Sequence, residues 1–203
     1  MVAIIDYGAG NLHSVAKAIQ KLGYQPCVSS QREEIERADV IIFPGVGSAG
    51  DATGNLKKLG LDVTLKKLNS EKRPIFGVCL GLQLFMEYSE EDGGYECLNL
   101  LPGTVKKLPP GNKIPHMGWN QVNQVFVHPI FHGIPDGTNF YFVHSYYADV
   151  KDKHIVAGVT DYGISFPSIV VRDNLVATQF HPEKSGDLGL MMYKNFLEMY
   201  IKK

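Results

Sequence analysis

The chain has 203 residues, of which 44% are hydrophobic and 20% charged, and its formal net charge is −1. That length fits one α/β domain over residues 1–203 with ample material for a core, and the near-neutral balance gives no electrostatic reason to expect nucleic acid or an anionic membrane as partner. No apolar run approaches membrane-span length, Met1-Val2-Ala3-Ile4-Ile5-Asp6 lacks the basic start of a secretory signal, and three cysteines without a Cys-x-x-Cys pair argue against a disulfide framework or structural zinc, so a reduced, cytoplasmic setting is expected.

Apolar runs of strand length alternate with helical patterns through the first part of the chain. Val2–Ile5, Cys27–Val28, Val40–Phe43 and Ile75–Val78 are expected strands. Residues 11–22, 32–38 and 51–68 are expected helices, an alternation that implies a parallel sheet with crossover helices. Asp6-Tyr7-Gly8-Ala9-Gly10-Asn11 reads as a strand-to-helix turn without the third glycine of a dinucleotide fingerprint. Phe43-Pro44-Gly45-Val46-Gly47-Ser48-Ala49-Gly50 follows another strand and lacks the spacing of a phosphate cradle. It reads either as a flexible turn or as a source of backbone N–H groups for an oxyanion.

Pro74-Ile75-Phe76-Gly77-Val78-Cys79-Leu80-Gly81-Leu82-Gln83 carries the clearest chemistry. A cysteine flanked two residues away on each side by glycine, at the end of an apolar run, is the thiol form of a strand–turn–helix elbow that exposes a nucleophile. Residues 82–88 are expected to be helical, which places the thiol at a helix N-terminus where N–H groups and the dipole favour thiolate. The Leu80 N–H, just after the nucleophile, is a candidate oxyanion donor. Cys27 and Cys97 read as ordinary small hydrophobes.

After Gly93 the pattern turns to β-rich pieces at 104–108, 119–125, 140–147, 155–160, 168–172 and 175–180, expected to add antiparallel strands to the sheet before a closing helix over 188–200. In Pro115-His116-Met117-Gly118-Trp119-Asn120 the tryptophan is either core packing or an aromatic anchor for a partner. Alternation along Tyr141–Tyr147 places His144 and Tyr146 on one face of a strand. His181 lies 102 residues beyond Cys79, in Gln179-Phe180-His181-Pro182-Glu183-Lys184, and the following proline keeps it extended, so His181 and Glu183 project to the same side. Cys79, His181 and Glu183 then make a set of nucleophile, base and orienter, since strand carboxyl ends in an open α/β sheet share one edge.

Pro44-Gly45-Val46-Gly47, Gly77-Val78-Cys79-Leu80-Gly81-Leu82-Gln83 and His181-Pro182-Glu183 together resemble the three signatures of the class I, triad-type glutamine amidotransferases. The motifs around Trp119, His144 and Lys184 resemble the branch serving histidine biosynthesis. The resemblance covers essentially the whole chain. It implies a flavodoxin-like, three-layer α/β domain with a mostly parallel central sheet and additional antiparallel strands, and it implies no metal or cofactor. Cys79, His181 and Glu183 would hydrolyse glutamine, with N–H groups of Val46 or Gly47 and of Leu80 stabilising the oxyanion. Gln83, Glu91, His144, Ser145 and Tyr146 match positions that contact the glutamine. Ammonia would pass through a channel to a separate (β/α)₈-barrel synthase subunit, with Asn11, Trp119 and Lys184 on the side facing it. A glutaminase serving another ammonia-using synthase, such as the pyridoxal phosphate type, is the nearest alternative. A cysteine hydrolase acting on peptides and a non-catalytic flavodoxin-like binding module are the readings from other classes.

Overall fold

A computed structural model describes residues 1–8 and 11–201. Four short strands, β1 (Val2–Ile5), β2 (Pro26–Ser29), β3 (Val40–Phe43) and β4 (Ile75–Val78), alternate with helices α1 (Leu12–Lys21), α2 (Arg32–Arg37), α3 (Ala49–Leu59) and α4 (Leu61–Ser70). Beyond β4 come α5 (Leu80–Leu84), the short strands β5 (Tyr88–Ser89) and β6 (Tyr95–Glu96), then β7 (Gly103–Lys107), β8 (His116–Gln124), β9 (Thr138–His144), β10 (Tyr146–Val150), β11 (Val156–Asp161), β12 (Ser165–Arg172), β13 (Leu175–Thr178) and the closing helix α6 (Gly186–Tyr200).

Nine strands form the large sheet in the order β2-β1-β3-β4-β13-β12-β11-β8-β9, and four form a smaller one, β10-β7-β5-β6. The pairs from β2 to β13 are parallel and those from β13 to β9 antiparallel. Continuous apolar runs at β1, β3 and β4 follow from this placement, because both faces are covered. Val2, Ile4, Val40, Ile42 and Phe76 pack with Val15 and Ile19 of α1 and with Met192 and Phe196 of α6. Ile5, Ile41, Phe43 and Ile75 point the other way and pack with Ile35, Leu56, Leu61, Leu65 and Leu68 of α2, α3 and α4, together with Val105 and Val150 of the small sheet. The result is three layers, each large apolar side chain stabilising the fold by roughly 1.5–3 kcal/mol through burial. Among the described residues no helix is long and apolar enough to cross a membrane.

Four expectations are corrected. The helix expected over 51–68 is two helices, because Gly60 at φ 65° ends α3 in a left-handed cap, where a Cβ would also strike the Arg32 guanidinium. The helix expected over 82–88 is α5, which begins at Leu80 and stops at Leu84. The strand expected over 140–147 breaks at Ser145, so His144 ends β9 in the large sheet while Tyr146 opens β10 in the small one. The strand expected over 175–180 as an antiparallel addition is so on one edge only: β13 lies in the middle of the large sheet, antiparallel to β12 but parallel to β4, and marks the change of pairing.

Candidate active site

The register of β4 and β13 positions the chemistry. Val78 pairs with Thr178, so both strands leave the sheet at the same edge, one residue before Cys79 and three before His181. Cys79 has φ 53° and ψ −105°, backbone space that a residue bearing a Cβ adopts only where its surroundings enforce it. Its N–H donates to the Thr178 carbonyl at 2.7 Å, and its carbonyl accepts from Leu82 N–H at 3.0 Å. The flanking glycines serve close approach, while the cysteine itself takes the positive φ. A Cβ on Gly77 would come within 2.5 Å of the Phe85 ring, and one on Gly81 within 2.4 Å of the Phe43 carbonyl oxygen.

The loop after β3 packs directly on this elbow. A Cβ on Gly45 would lie 2.7 Å from the Leu80 Cβ and 2.9 Å from the Gly81 nitrogen, so only glycine admits the contact. Tyr7 donates to the Pro44 carbonyl at 3.0 Å, and Ser48 caps α3 by accepting from Asp51 N–H at 3.2 Å. Burial first, and then the charge of Cys79, push the Tyr7 hydroxyl well above its ordinary value, so it stays a neutral donor. Val46, Gly47 and Leu80 thereby border one space with Cys79.

His181 is held at both ends of its backbone. Its N–H donates to the Tyr141 carbonyl at 2.9 Å, and its carbonyl accepts from the Ser185 hydroxyl at 2.6 Å. Its Nδ1 is 2.9 Å from Glu183 Oε1, and both side chains are only 1% exposed. Tyr193 donates to the second Glu183 oxygen at 3.4 Å. His181 Nε2 is buried without a hydrogen-bond partner, and the residue borders the same cleft as Cys79, whose charge acts on the ring. Burial opposes charge on the imidazole, but Cys79 and then Glu183 outweigh it and hold its pKa well above the ordinary histidine value.

Cys79 and His181 open into a cleft of about 310 Å³. Gln83, Glu91, His144, Ser145 and Tyr146, spread over 64 positions of sequence, all line it. Gln83 Nε2 donates to the Tyr146 carbonyl at 2.8 Å and to Gln179 Oε1 at 3.3 Å. Both amide hydrogens are thus committed, and the carbonyl oxygen is what Gln83 has left for a ligand. Glu91 accepts from Ala49 N–H at 2.7 Å through one oxygen, at the N-terminus of α3, leaving the other free to accept. Among the described residues no group of His, Cys, Asp and Glu converges as a metal site.

Trp119 is not core: it is 58% exposed on β8, with its ring edge against Tyr141 at 6.2 Å. Lys184 Nζ stands 5.9 Å above the same Tyr141 ring. Asn11 is half-buried at the start of α1, where its carbonyl accepts from Val15 N–H. Three contributors escaped the sequence: Gln179, whose Nε2 donates to Cys79 Sγ at 3.7 Å, Tyr193, and His116, buried against Tyr162 and Phe142. The signal available for Gln179 was its place two residues before His181 at a strand's carboxyl end. Tyr193 and His116 have no local signature beyond an apolar helix face and the tryptophan motif.

A family model for class I glutamine amidotransferases matches residues 3–199. The chain belongs to that family, and is an enzyme of the glutamine amidotransferase type. It is 51% identical over 199 residues to the imidazole glycerol phosphate synthase subunit HisH of Dehalococcoides mccartyi strain CBDB1, covering 98% of this chain and 97% of the relative. To the HisH subunits of Moorella thermoacetica and Chloroflexus aurantiacus it is 50% and 47% identical, again over at least 94% of each chain. Among solved structures, a glutamine amidotransferase superposes with a TM-score of 0.78 at 17% identity, over 98% of this chain and 99% of that one. PurLQS from Thermotoga maritima also gives 0.78 at 17% identity, covering 98% and 97%. At that identity these two likenesses speak for the fold alone.

Proposed function

We propose that the protein hydrolyses glutamine to glutamate and ammonia through Cys79, His181 and Glu183, and that it hands the ammonia to a (β/α)₈-barrel synthase subunit making imidazole glycerol phosphate and AICAR in histidine biosynthesis. The observation that carries the reading is a thiol on an enforced positive-φ elbow, opening with a Glu183-oriented imidazole into one cleft. Cys79 Sγ attacks the side-chain amide carbon. The carbonyl electrons move onto oxygen, where N–H groups of Val46 or Gly47 and of Leu80 receive them. The tetrahedral species collapses to a thioester as His181 passes its proton to the departing nitrogen, which leaves as ammonia. His181, now neutral, takes a proton from water, and hydroxide displaces the thiolate to release glutamate. Glu183 keeps Nδ1 of the ring occupied throughout, so Nε2 does the proton transfer.

The free acceptors of Gln83 and Glu91 suit the α-ammonium of an amino acid. Trp119 and the neighbouring Met117, 58% and 60% exposed, are large apolar side chains of the kind an interface covers, which supports assigning them, with Lys184 and Asn11, to contact with the synthase. Transfer without release into solvent has a chemical reason: ammonium in neutral water lacks the nucleophilic lone pair, and a dry path conserves ammonia.

The test is synthesis by the complex with Cys79→Ala. Glutamine-dependent product formation should fall by about 10³-fold or more while synthesis from added ammonia persists, because only the former uses the thiol. Comparable loss of both activities, or survival of the first, would refute the assignment. A peptidase reading would be favoured by turnover of peptides in preference to free glutamine.

A further inference from the structure

A line of polar groups that the triad does not use runs from β8 into the cleft. Asn120 Oδ1 accepts from Gln121 N–H at 2.8 Å, so its Nδ2 carries the donors, one to the Asp161 carbonyl at 3.1 Å and one to His116 Nε2 at 3.2 Å. His116 Nδ1 lies 2.9 Å from His144 Nε2, and His144 Nδ1 lies 2.8 Å from the Tyr146 carbonyl oxygen. Backbone groups bracket the line, and their roles are fixed: a peptide N–H only donates and a carbonyl only accepts. His144 Nδ1 must therefore carry the hydrogen, which leaves Nε2 as acceptor. His116 must then donate from Nδ1 and accept from Asn120 at Nε2. One neutral tautomer at each ring satisfies every contact, and a second proton on either would face another donor. Burial acts in the same direction, holding the pKa of His116 down at about 4 and that of His144 at about 3.

At the inner end, the Tyr146 carbonyl takes Gln83 Nε2 as its second donor. Gln83 in turn reaches Gln179, whose Nε2 donates to the nucleophile's sulfur. The placement of the Gln83 oxygen in the cleft thus depends on a carbonyl that also accepts from a histidine.

We propose that His116 and His144 are a tautomer-locked positioning pair that fixes the Tyr146 carbonyl and, through it, holds Gln83 in place to bind glutamine. The substrate part of this inference rests on the glutaminase reading; the tautomer part does not. In the unmodified protein, nitrogen-15 NMR of labelled histidines should find His116 and His144 neutral at pH 7 with the hydrogen on Nδ1. A hydrogen on Nε2 of His144 instead would overturn the proposal, with no variant and no activity needed. For the function, His116→Phe keeps a ring against Tyr162 and Phe142 but deletes the donor, whereas His116→Asn keeps a donor near the Nδ1 position. In the complex with its synthase subunit, the phenylalanine variant should raise the glutamine KM about tenfold with kcat changed less than about threefold, and the asparagine variant should return KM to within about threefold, the scale of one lost buried hydrogen-bond partner. Alkylation of Cys79 by iodoacetamide, which must enter the cleft but has no α-ammonium for Gln83 to hold, should proceed as before. An unchanged KM in a folded His116→Phe protein would overturn the pair's role. Absence of glutamine hydrolysis by the unmodified complex would instead overturn the glutaminase reading, and with it the substrate role of the pair.

Discussion

On the parallel side of the large sheet, Cys79 is held at φ 53° by backbone bonds to Thr178 and Leu82 and by glycines that admit Phe43 and Phe85. On the antiparallel side, His116, His144 and Asn120 hold one another by side-chain bonds of 2.8 to 3.2 Å that end on the Tyr146 carbonyl. The first arrangement tolerates almost no change of volume, because its determinants are close approaches of backbone. The second tolerates shape but not polarity, because each donor must meet an acceptor. The His181–Glu183 pair stands at their meeting point, just beyond the end of the strand where pairing changes from parallel to antiparallel.

Glu183→Gln gives the largest effect, since it attacks that meeting point. The glutamine is nearly the same size and removes the charge, so the fold should survive while glutaminase activity falls by about 10²–10⁴-fold, the scale of a lost acid–base arrangement. The pH dependence has a definite sign. His181 is raised by Cys79 and by Glu183 against the opposing effect of burial, so removing Glu183 lowers its pKa and moves the alkaline limb of kcat/KM to lower pH. The raised pKa adds stability that is full below the ordinary histidine value and is lost as pH rises through the folded value. The variant's stability deficit should therefore be largest on the acidic side and shrink with rising pH in denaturant titrations. A limb that moves to higher pH would contradict the assigned role.

Gly81→Ala tests the parallel side by volume alone. Its Cβ would sit 2.4 Å from the Phe43 carbonyl oxygen, and backbone has no rotamer by which to yield. Strand β3 and the elbow must separate, at a cost of about 1–3 kcal/mol of stability, the usual scale of overpacking. Because the shift also moves the Leu80 N–H, kcat should fall with stability. A variant as stable and active as the original would show that the elbow has slack. The antiparallel side should give the reverse pattern, in which the smaller but donor-keeping His116→Asn is tolerated and the space-filling His116→Phe is not.

The same contrast decides what was legible in the sequence. Close backbone approach demands glycine, and glycine spacing can be read locally: Gly45, Gly77 and Gly81 announced the elbow and its loop, and the continuous runs of β1, β3 and β4 announced strands covered on both faces. Hydrogen-bond partners are brought together by register, which a sequence does not display. His116 meets His144 because β8 and β9 pair with those two residues opposite each other, and Gln179 meets Gln83 across 96 positions. The break at Ser145 was hidden for a related reason: apolar alternation continues through it while the chain passes from one sheet to the other. The cleft residues Gln83, Glu91 and His144 to Tyr146 were named through family resemblance, and periodicity alone would have left His144 a structural histidine.

Tyr193→Phe has the smallest expected effect and separates shape from polarity most cleanly. The ring sits in the core against Phe76 at 5.2 Å, and its hydroxyl reaches Glu183 at 3.4 Å. Burial, and then the Glu183 charge, push the hydroxyl far above its ordinary value, so at any working pH it is a neutral donor. Phenylalanine keeps the packing and leaves Glu183 Oε2 without that donor. A long hydrogen bond of this kind contributes about 0.5–1.5 kcal/mol, or roughly two- to twelvefold in rate if all of it serves to aim the carboxylate. The decrease should appear in kcat with the glutamine KM unchanged, because Tyr193 touches Glu183 and none of the residues proposed to hold glutamine. A KM effect equal to that of His116→Phe would mean that the two sides of the site are not independent, and the division between backbone-set nucleophile and side-chain-set pocket would fail with it.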